Sequence, residues 1–279
     1  MSAVLKNPGS TLLRAVVVLV LCVFAAFPVY WMINTATSTN EELYGSGQSV
    51  GLDLARLPQV FEALTMDGPL RWLANSAIVA TGTTVLSLSM AVVVGYSISR
   101  FRYAGRGALS FALFTTQMMP EALLVVPLYA VFVALGLING LTSLVLANTA
   151  FAMPVAVWIV KSALDKVPYE IEEAARVDGC SRGRILFRIL LPLVLPSIAA
   201  AGVITFFEGW NEYLFATTFI QDQHLWPASR GVASFIGEFV TPLPVVFSVA
   251  LVFSIPAVVF FLLVQRWIVS GLTAGSVKG

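Results

Sequence analysis

Six long apolar runs, separated by short polar stretches, set the pattern of this chain. They cover residues 13–33, 76–98, 108–135, 141–162, 193–216 and 245–265. At 1.5 Å per residue each is long enough, as a helix, to cross a hydrocarbon layer of about 30 Å. The pattern therefore predicts an all-α integral membrane protein with six transmembrane helices. The first run is too long for the apolar core of a signal peptide. No convincing small-x-small cleavage site follows it before the polar 34–40 stretch, so it is expected to remain as an anchor.

The polar intervals differ in kind. Between the first two runs, Leu52, Leu54, Leu57, Val60, Phe61, Leu64 and Trp72 are spread among polar residues, predicting one or two short amphipathic surface helices. Neither this interval nor 217–244 has the length or strand pattern of a folded domain. Trp31, Tyr30, Tyr44, Trp72 and Trp226 fall near span ends, where aromatic rings settle at headgroup level. The interval from Lys161 to Arg188 is dense in charges of both signs and must leave the membrane. Pro168 suits the first turn of a helix there, and Glu170, Glu172 and Glu173 follow, where the helix dipole favours negative charge. Ile171, Ala174, Ala175 and Val177 give that helix an apolar strip with small residues at its centre. Gly179 can take the left-handed conformation that ends it, and Ser181 can cap a second helix running through Arg184, Arg188 and Ile189 into Pro192. A helix–turn–helix hairpin is expected from local chemistry alone.

Charge sets the orientation. With the N-terminus inside, Lys6, Arg14, Arg100, Arg102, Arg106, Lys161, Lys166, Arg176, Arg182, Arg184, Arg188, Arg266 and Lys278 all lie on the cytoplasmic side, leaving Arg56, Arg71 and Arg230 outside. The positive-inside rule thus predicts an N-in/C-in topology. Three parts follow: a cytoplasmic N-terminus (1–12), a six-span domain (13–270) with a cytoplasmic loop at 163–192, and a tail (271–279).

Composition changes the picture mainly by exclusion. The chain is 58% hydrophobic and 11% charged, against roughly 25% charged in a soluble domain. A net charge of +1 disfavours nucleic acid and polybasic membrane-surface roles. Cys22 and Cys180 lack ligand spacing and read as free thiols, and His224 stands alone, so no metal site and no catalytic residue is expected. A Walker-type Gly-rich loop does not occur, which excludes ATP hydrolysis by the P-loop route within this chain.

The hairpin also carries a motif. Glu173-Ala174-Ala175, three residues, Gly179, nine residues, then Ile189-x-Leu191-Pro192 resembles the cytoplasmic coupling loop of binding-protein-dependent ABC importer permeases. Trp210-Asn211-Glu212-Tyr213 resembles the Trp-Asn-Glu/Asp signature of the carbohydrate permeases, and Tyr96, Arg100 with Phe101, and Asn75-Ser76 also fit. The ending Gly271-Leu272-Thr273-Ala274-Gly275-Ser276-Val277-Lys278-Gly279 is similar to that of the smaller, second subunit of maltose-type permeases. The resemblance runs from about residue 70 to the end. It implies a permease subunit of an ATP-driven carbohydrate importer in the prokaryotic cytoplasmic (inner) membrane. The implied partners are a homologous second permease, two ATPase subunits and an extracytoplasmic solute-binding protein. No cofactor is implied on this chain, since ATP and Mg would be bound by the ATPase subunits.

The same resemblance assigns residues. Glu172, Glu173, Ala174, Ala175, Asp178, Gly179, Ile189 and Pro192 would form the ATPase-coupling surface, with Glu173 making the polar contact and Gly179 the turn. Gly271, Thr273, Gly275, Lys278 and Gly279 would reach the ATPase dimer interface. The long outer loop that some maltose-type permeases carry is not evident in 217–244. Within the spans, Gln117, Glu121, Trp210, Asn211 and Glu212 form a candidate translocation path, with Glu208 on the same helical face as Glu212. Buried carboxylates in membranes mark water-filled paths or interhelical hydrogen bonds; Glu121 fits either role, while Glu208 is read as structural packing. Pro120, Pro127, Pro154 and Pro256 are expected to bend their spans. An ion-driven secondary transporter is the alternative; it would show inverted repeats, which are not found.

Overall fold

The computed structural model describes residues 8–46, 50–237 and 241–275. Among the described residues every regular element is helical. Contacts divide the chain into two units: 1–67 with 235–252, and 68–234 with 253–279.

In the first unit, α1 (Pro8–Ala36) is the first apolar run, and its side chains from Leu12 to Val29 are exposed, as suits a surface solvated by lipid. Beyond it the chain becomes polar and ties itself down. Thr39 and Glu42 form a reciprocal capping box, Thr39 N donating to Glu42 at 2.8 Å and Glu42 N to Thr39 at 3.2 Å. Arg56 pairs with Glu42 and with Asp53, each at 3.0 Å. The amphipathic segment condenses into a 3₁₀ turn at Leu54–Arg56, the six-residue α2 (Leu57–Glu62) and a second turn at Ala63–Thr65, with Val60 and Ala63 buried. This matches the short surface helix expected from its spacing.

The second unit holds the packed core. Its elements are α3 (Pro69–Arg100), α4 (Arg106–Thr116), α5 (Glu121–Ala134), α6 (Leu141–Leu164), α7 (Tyr169–Val177), α8 (Arg182–Ile185), α9 (Leu191–Trp210), α10 (Leu214–Phe219) and α11 (Ala228–Ala233). The last helix, α12 (Leu243–Gly275), is divided between the two units after Val252. Helices α3, α6 and α9 pack on one another through small residues, which let backbones approach where apolar lipid offers no competing hydrophobic drive. Gly95 brings α3 against α6, since a Cβ there would lie 3.2 Å from the Lys161 amide; Gly209 brings α9 against α3. Both are backbone contacts that a side chain would block.

The third apolar run is not one helix. α4 and α5 meet at 107° across Gln117–Pro120. Pro120 is extended (φ −67°, ψ 125°), and a proline biases the preceding residue away from helix. With 11 and 14 residues, the arms reach only about 16 and 21 Å, so neither crosses a bilayer alone. Among the described residues five helices are long and apolar enough to span, and six if the bent pair counts as one span. Pro127, Pro154 and Pro256, by contrast, lie inside continuous helices.

Candidate functional site: the coupling hairpin and the intramembrane cleft

The hairpin forms as its local chemistry requires. Pro168 occupies the N-cap position of α7, whose first turn carries Glu170 and Glu172. At its other end Gly179 takes φ +78°. Gly179 N donates to Arg176 O at 3.0 Å and Cys180 N to Ala175 O at 2.9 Å, the paired bonds of a Schellman motif. Ser181 then caps α8, its hydroxyl accepting from Arg184 N at 3.4 Å. α8 passes through a π-helical turn, Leu186–Leu190, directly into α9.

Burial sorts the hairpin residues into two faces. Glu173, Ala174, Asp178 and Gly179 point outward with Ile171, and Val177 is 88% exposed. Glu172 and Ala175 turn inward, although the sequence groups them with the outward residues. Successive helical positions lie about 100° apart, and here a partner on α3 claims Glu172. Its carboxylate forms an ion pair with Arg100 Nε; the two side chains are 6% and 3% exposed. Arg100 also donates to Val167 O at 2.9 Å and lies over the Tyr169 ring at 4.5 Å. The Tyr169 hydroxyl reaches back to the carbonyls of Ser99 and Arg100, at 3.4 and 3.3 Å. Ile189 is half-buried and Pro192 exposed.

Beside this cluster, Asp165 accepts from Ser99 at 2.6 Å and from Lys161 at 2.5 Å. Burial works against its charged form, but those two hydrogen bonds outweigh it and hold the carboxyl below its usual range.

At the other end of α3, Trp72 Nε1 donates to Gln223 O at 3.1 Å. The Asn75 amide donates to the carbonyls of His224 and Trp226, both at 2.9 Å, and Ala228 N donates to Ser76 at 2.9 Å. These bonds fasten the 220–231 segment over the helix start, and Trp72 packs against Gly231 so closely that a Cβ there would lie 2.1 Å from the ring.

A cleft of about 580 Å³ opens along α9 and the start of α5. Glu121, Phe207, Glu208, Asn211, Glu212 and Tyr213 are among its lining residues. Three of the five candidate path residues thus meet in one place: Glu121, Asn211 and Glu212. Glu121 reaches it because the break after α4 makes it the first residue of α5. Glu212 is otherwise engaged, its carboxylate accepting from the backbone of Phe215 at 2.6 Å and Ala216 at 3.2 Å, so it organises the start of α10. Trp210 stands apart: it is 2% exposed and stacked between Phe206 and Phe253, with ring centroids 5.5 and 4.9 Å away. Gln117 also separates from the group. Its amide donates to Phe151 O at 2.9 Å, and it lines a second cleft of about 790 Å³ with Trp158, Ser162, Lys166 and Ser197. Of the tail residues, Gly271, Thr273 and Gly275 continue the α12 backbone, while Lys278 and Gly279 lie outside the described residues.

The model of the family described as "binding-protein-dependent transport system inner membrane component" matches residues 83–274, which include the second half of α3, both hairpin arms, α9 and nearly all of α12. This chain belongs to that family. The permease is 31% identical over 286 residues to the sulfoquinovosyl glycerol transport system permease protein SmoH of Agrobacterium fabrum, covering 100% of both chains. It is 30% identical to the trehalose/maltose transport system permease protein MalG of Thermococcus litoralis, over 96% of each. Its fold matches that of a chain in a bacterial ABC transporter involved in the import of the acidic polysaccharide alginate. That match has a TM-score of 0.77 at 19% identity and covers 95% of this permease and 99% of that chain. It is a multi-pass protein of the inner membrane.

Two structural features of the permease escape the sequence pattern. Arg100 fits the family resemblance, yet nothing in its neighbours ties it to a carboxylate 72 positions later in the chain. Glu208 was recognisable as an intramembrane acid, but its place beside Glu121 depends on the broken third span.

Proposed function

We propose that the permease forms half of the translocation path of an ATP-driven carbohydrate importer. A homologous permease supplies the other half, two ATPase subunits bind and hydrolyse ATP with Mg, and an extracytoplasmic binding protein delivers the sugar. Both termini and the hairpin lie on the cytoplasmic side in this reading, which the distribution of Lys and Arg supports. The observation that carries this reading is the outward face of α7. A helix in water normally buries its apolar strip, whereas this one exposes Ile171, Ala174 and Val177 beside Glu173, while its opposite face is locked to α3. Such a face suits a groove of an ATPase subunit, with Glu173 as the polar contact, Ala174 and Val177 packing, and Asp178 and Gly179 at the tip.

For the transported molecule, the cleft offers carboxylate and amide groups next to the rings of Phe207 and Tyr213. Carboxylates accept hydrogen bonds from hydroxyls, and ring faces suit the apolar face of a sugar. The sugar systems named for SmoH and MalG support the same class. The Gly271–Gly279 tail is assigned a further contact with the ATPase pair.

The reading is tested by purifying the permease from native membranes in mild detergent, as wild type, as Glu173→Lys and as a truncation before Gly271. Co-purification of an ATPase with wild type, weakened in Glu173→Lys, is the expected result. A stable permease that brings no ATPase would refute it.

A further inference from the structure

The hairpin is attached to the membrane helices in two different ways. Its second arm is covalent, since α8 runs through the π-helical turn into α9. Its first arm, α7, follows a four-residue turn after α6 and meets α3 through side chains. The contact falls on the last residue of α3. Arg100 is held there in three directions: by the Glu172 carboxylate at Nε, by the Val167 carbonyl at Nη2, and by the Tyr169 ring against its face.

We infer that the Arg100–Glu172 ion pair, braced by Tyr169, is the link through which movement of the hairpin reaches α3. The inference rests on the reading of α7 as the ATPase dock. Stability alone is a weak account of this pair, because two buried charges lose hydration that a hydrophobic pair of similar size would not need to give up. What the pair adds is direction. A guanidinium is a rigid planar fork, and the three contacts fix it in one orientation relative to α7. An apolar contact would slide under load; this one resists displacement both along and across the α3 axis.

The neighbouring contacts define where the load goes. Ser99 and Lys161 share Asp165, and Gly95 seats α3 on the α6 backbone. Displacement received at Arg100 is therefore delivered to α3 and α6 as one body, while α9 is moved by its own continuity with α8. These are the three helices that form the core of the second unit. Without the ion pair the hairpin would still be joined to α6 and α9 through the chain, and α3 would follow only through its packing on them. With the ion pair in place, the three move together. Arg100, Glu172 and Tyr169 are thus positioning residues: they touch neither ATP nor sugar.

The test uses the complex purified with its ATPase. Cys22 and Cys180 are replaced by serine, and spin labels are placed by Glu170→Cys on α7 and Val93→Cys on α3, two exposed positions. Distances between the labels are measured without nucleotide and with a non-hydrolysable ATP analogue and Mg. In the otherwise wild-type complex the distance should hold, because α7 and α3 move as one. In Glu172→Gln it should shift or broaden by about 2 Å or more, the scale of packed helices sliding. Arg100→Lys, which keeps the charge but loses the fork, should give a smaller shift, and it decides the matter if Glu172→Gln fails to assemble. A variant that melts earlier yet keeps the wild-type distance with nucleotide bound would show the pair to be structural and overturn the inference. Absence of a co-purifying ATPase from wild type would instead overturn the docking reading on which it rests.

Discussion

Replacing Gly209 by alanine adds one methyl group at the tightest crossing of α9 over α3. The new Cβ would lie 2.8 Å from Ala80 Cα and 3.1 Å from Thr83 Oγ1. Ordinary contact begins at 3.4 Å, so the backbones must separate by at least the difference, 3.4 − 2.8 = 0.6 Å. The obstacle is main chain, which cannot rotate away as a side chain would. A radial gap of about 0.5–1 Å forfeits a quarter to a half of each dispersion contact across the crossing. Overpacking of this kind costs about 1–3 kcal/mol. Alanine recovers up to about 1 kcal/mol in helix propensity, leaving a net loss of up to about 2 kcal/mol. Gly202, two turns earlier on the same helix, is the internal control. Its Cβ would meet Leu88 Cδ1 at 3.4 Å, ordinary contact with the end of a flexible side chain. Gly202→Ala should therefore be neutral or slightly stabilising. The assay is thermal unfolding of the detergent-purified permease, followed by the loss of its monodisperse peak on size exclusion. Gly209→Ala should melt several degrees below wild type, and Gly202→Ala at or above it. Equal melting of the two variants would refute the argument that backbone approach at Gly209 holds α9 to α3.

Two further outcomes follow from the polar contacts at either end of α3. Asn75→Ala leaves the carbonyls of His224 and Trp226 without their donor, a loss of about 1–3 kcal/mol; tryptic cleavage at Arg230 should accelerate, while exposed Thr65→Ala should leave it unchanged. Asp165 has a folded-state pKa below its unfolded value, so its contribution is present above the unfolded pKa of about 3.9 and is lost as pH falls through the folded one. Its side chain is 39% exposed, so the contribution is less than about 1 kcal/mol. Asp165→Asn should lower the melting temperature slightly at pH 7 and flatten its fall below about pH 4; an identical acid limb in both proteins would contradict the hydrogen bonds assigned to this carboxylate.

The hairpin shows how far short-range chemistry reaches. Proline before α7, glycine after it and serine ahead of α8 act within four residues of themselves, and each was legible as a helix start or stop. The apolar runs were legible for an equally simple reason, since a bilayer demands a minimum length of unbroken apolar helix. The third run marks the limit of that argument. Length and hydropathy count residues, and a sharp bend at Pro120 leaves the count unchanged while moving Glu121 from mid-span to a helix start lining a cleft.

By itself, then, the sequence determined the class of protein, the spans other than the broken one, and the hairpin with its turn and caps. Tertiary structure decided which of two adjacent glutamates faces outward, that Trp210 is packed between phenylalanines, and that Glu121 and Glu208 share a cleft. The physical reason is the range of the forces involved. Capping, propensity and hydropathy depend on a residue and its near neighbours. The burial of one helix face depends on what packs against it, and for Glu172 that partner is an arginine 72 residues away.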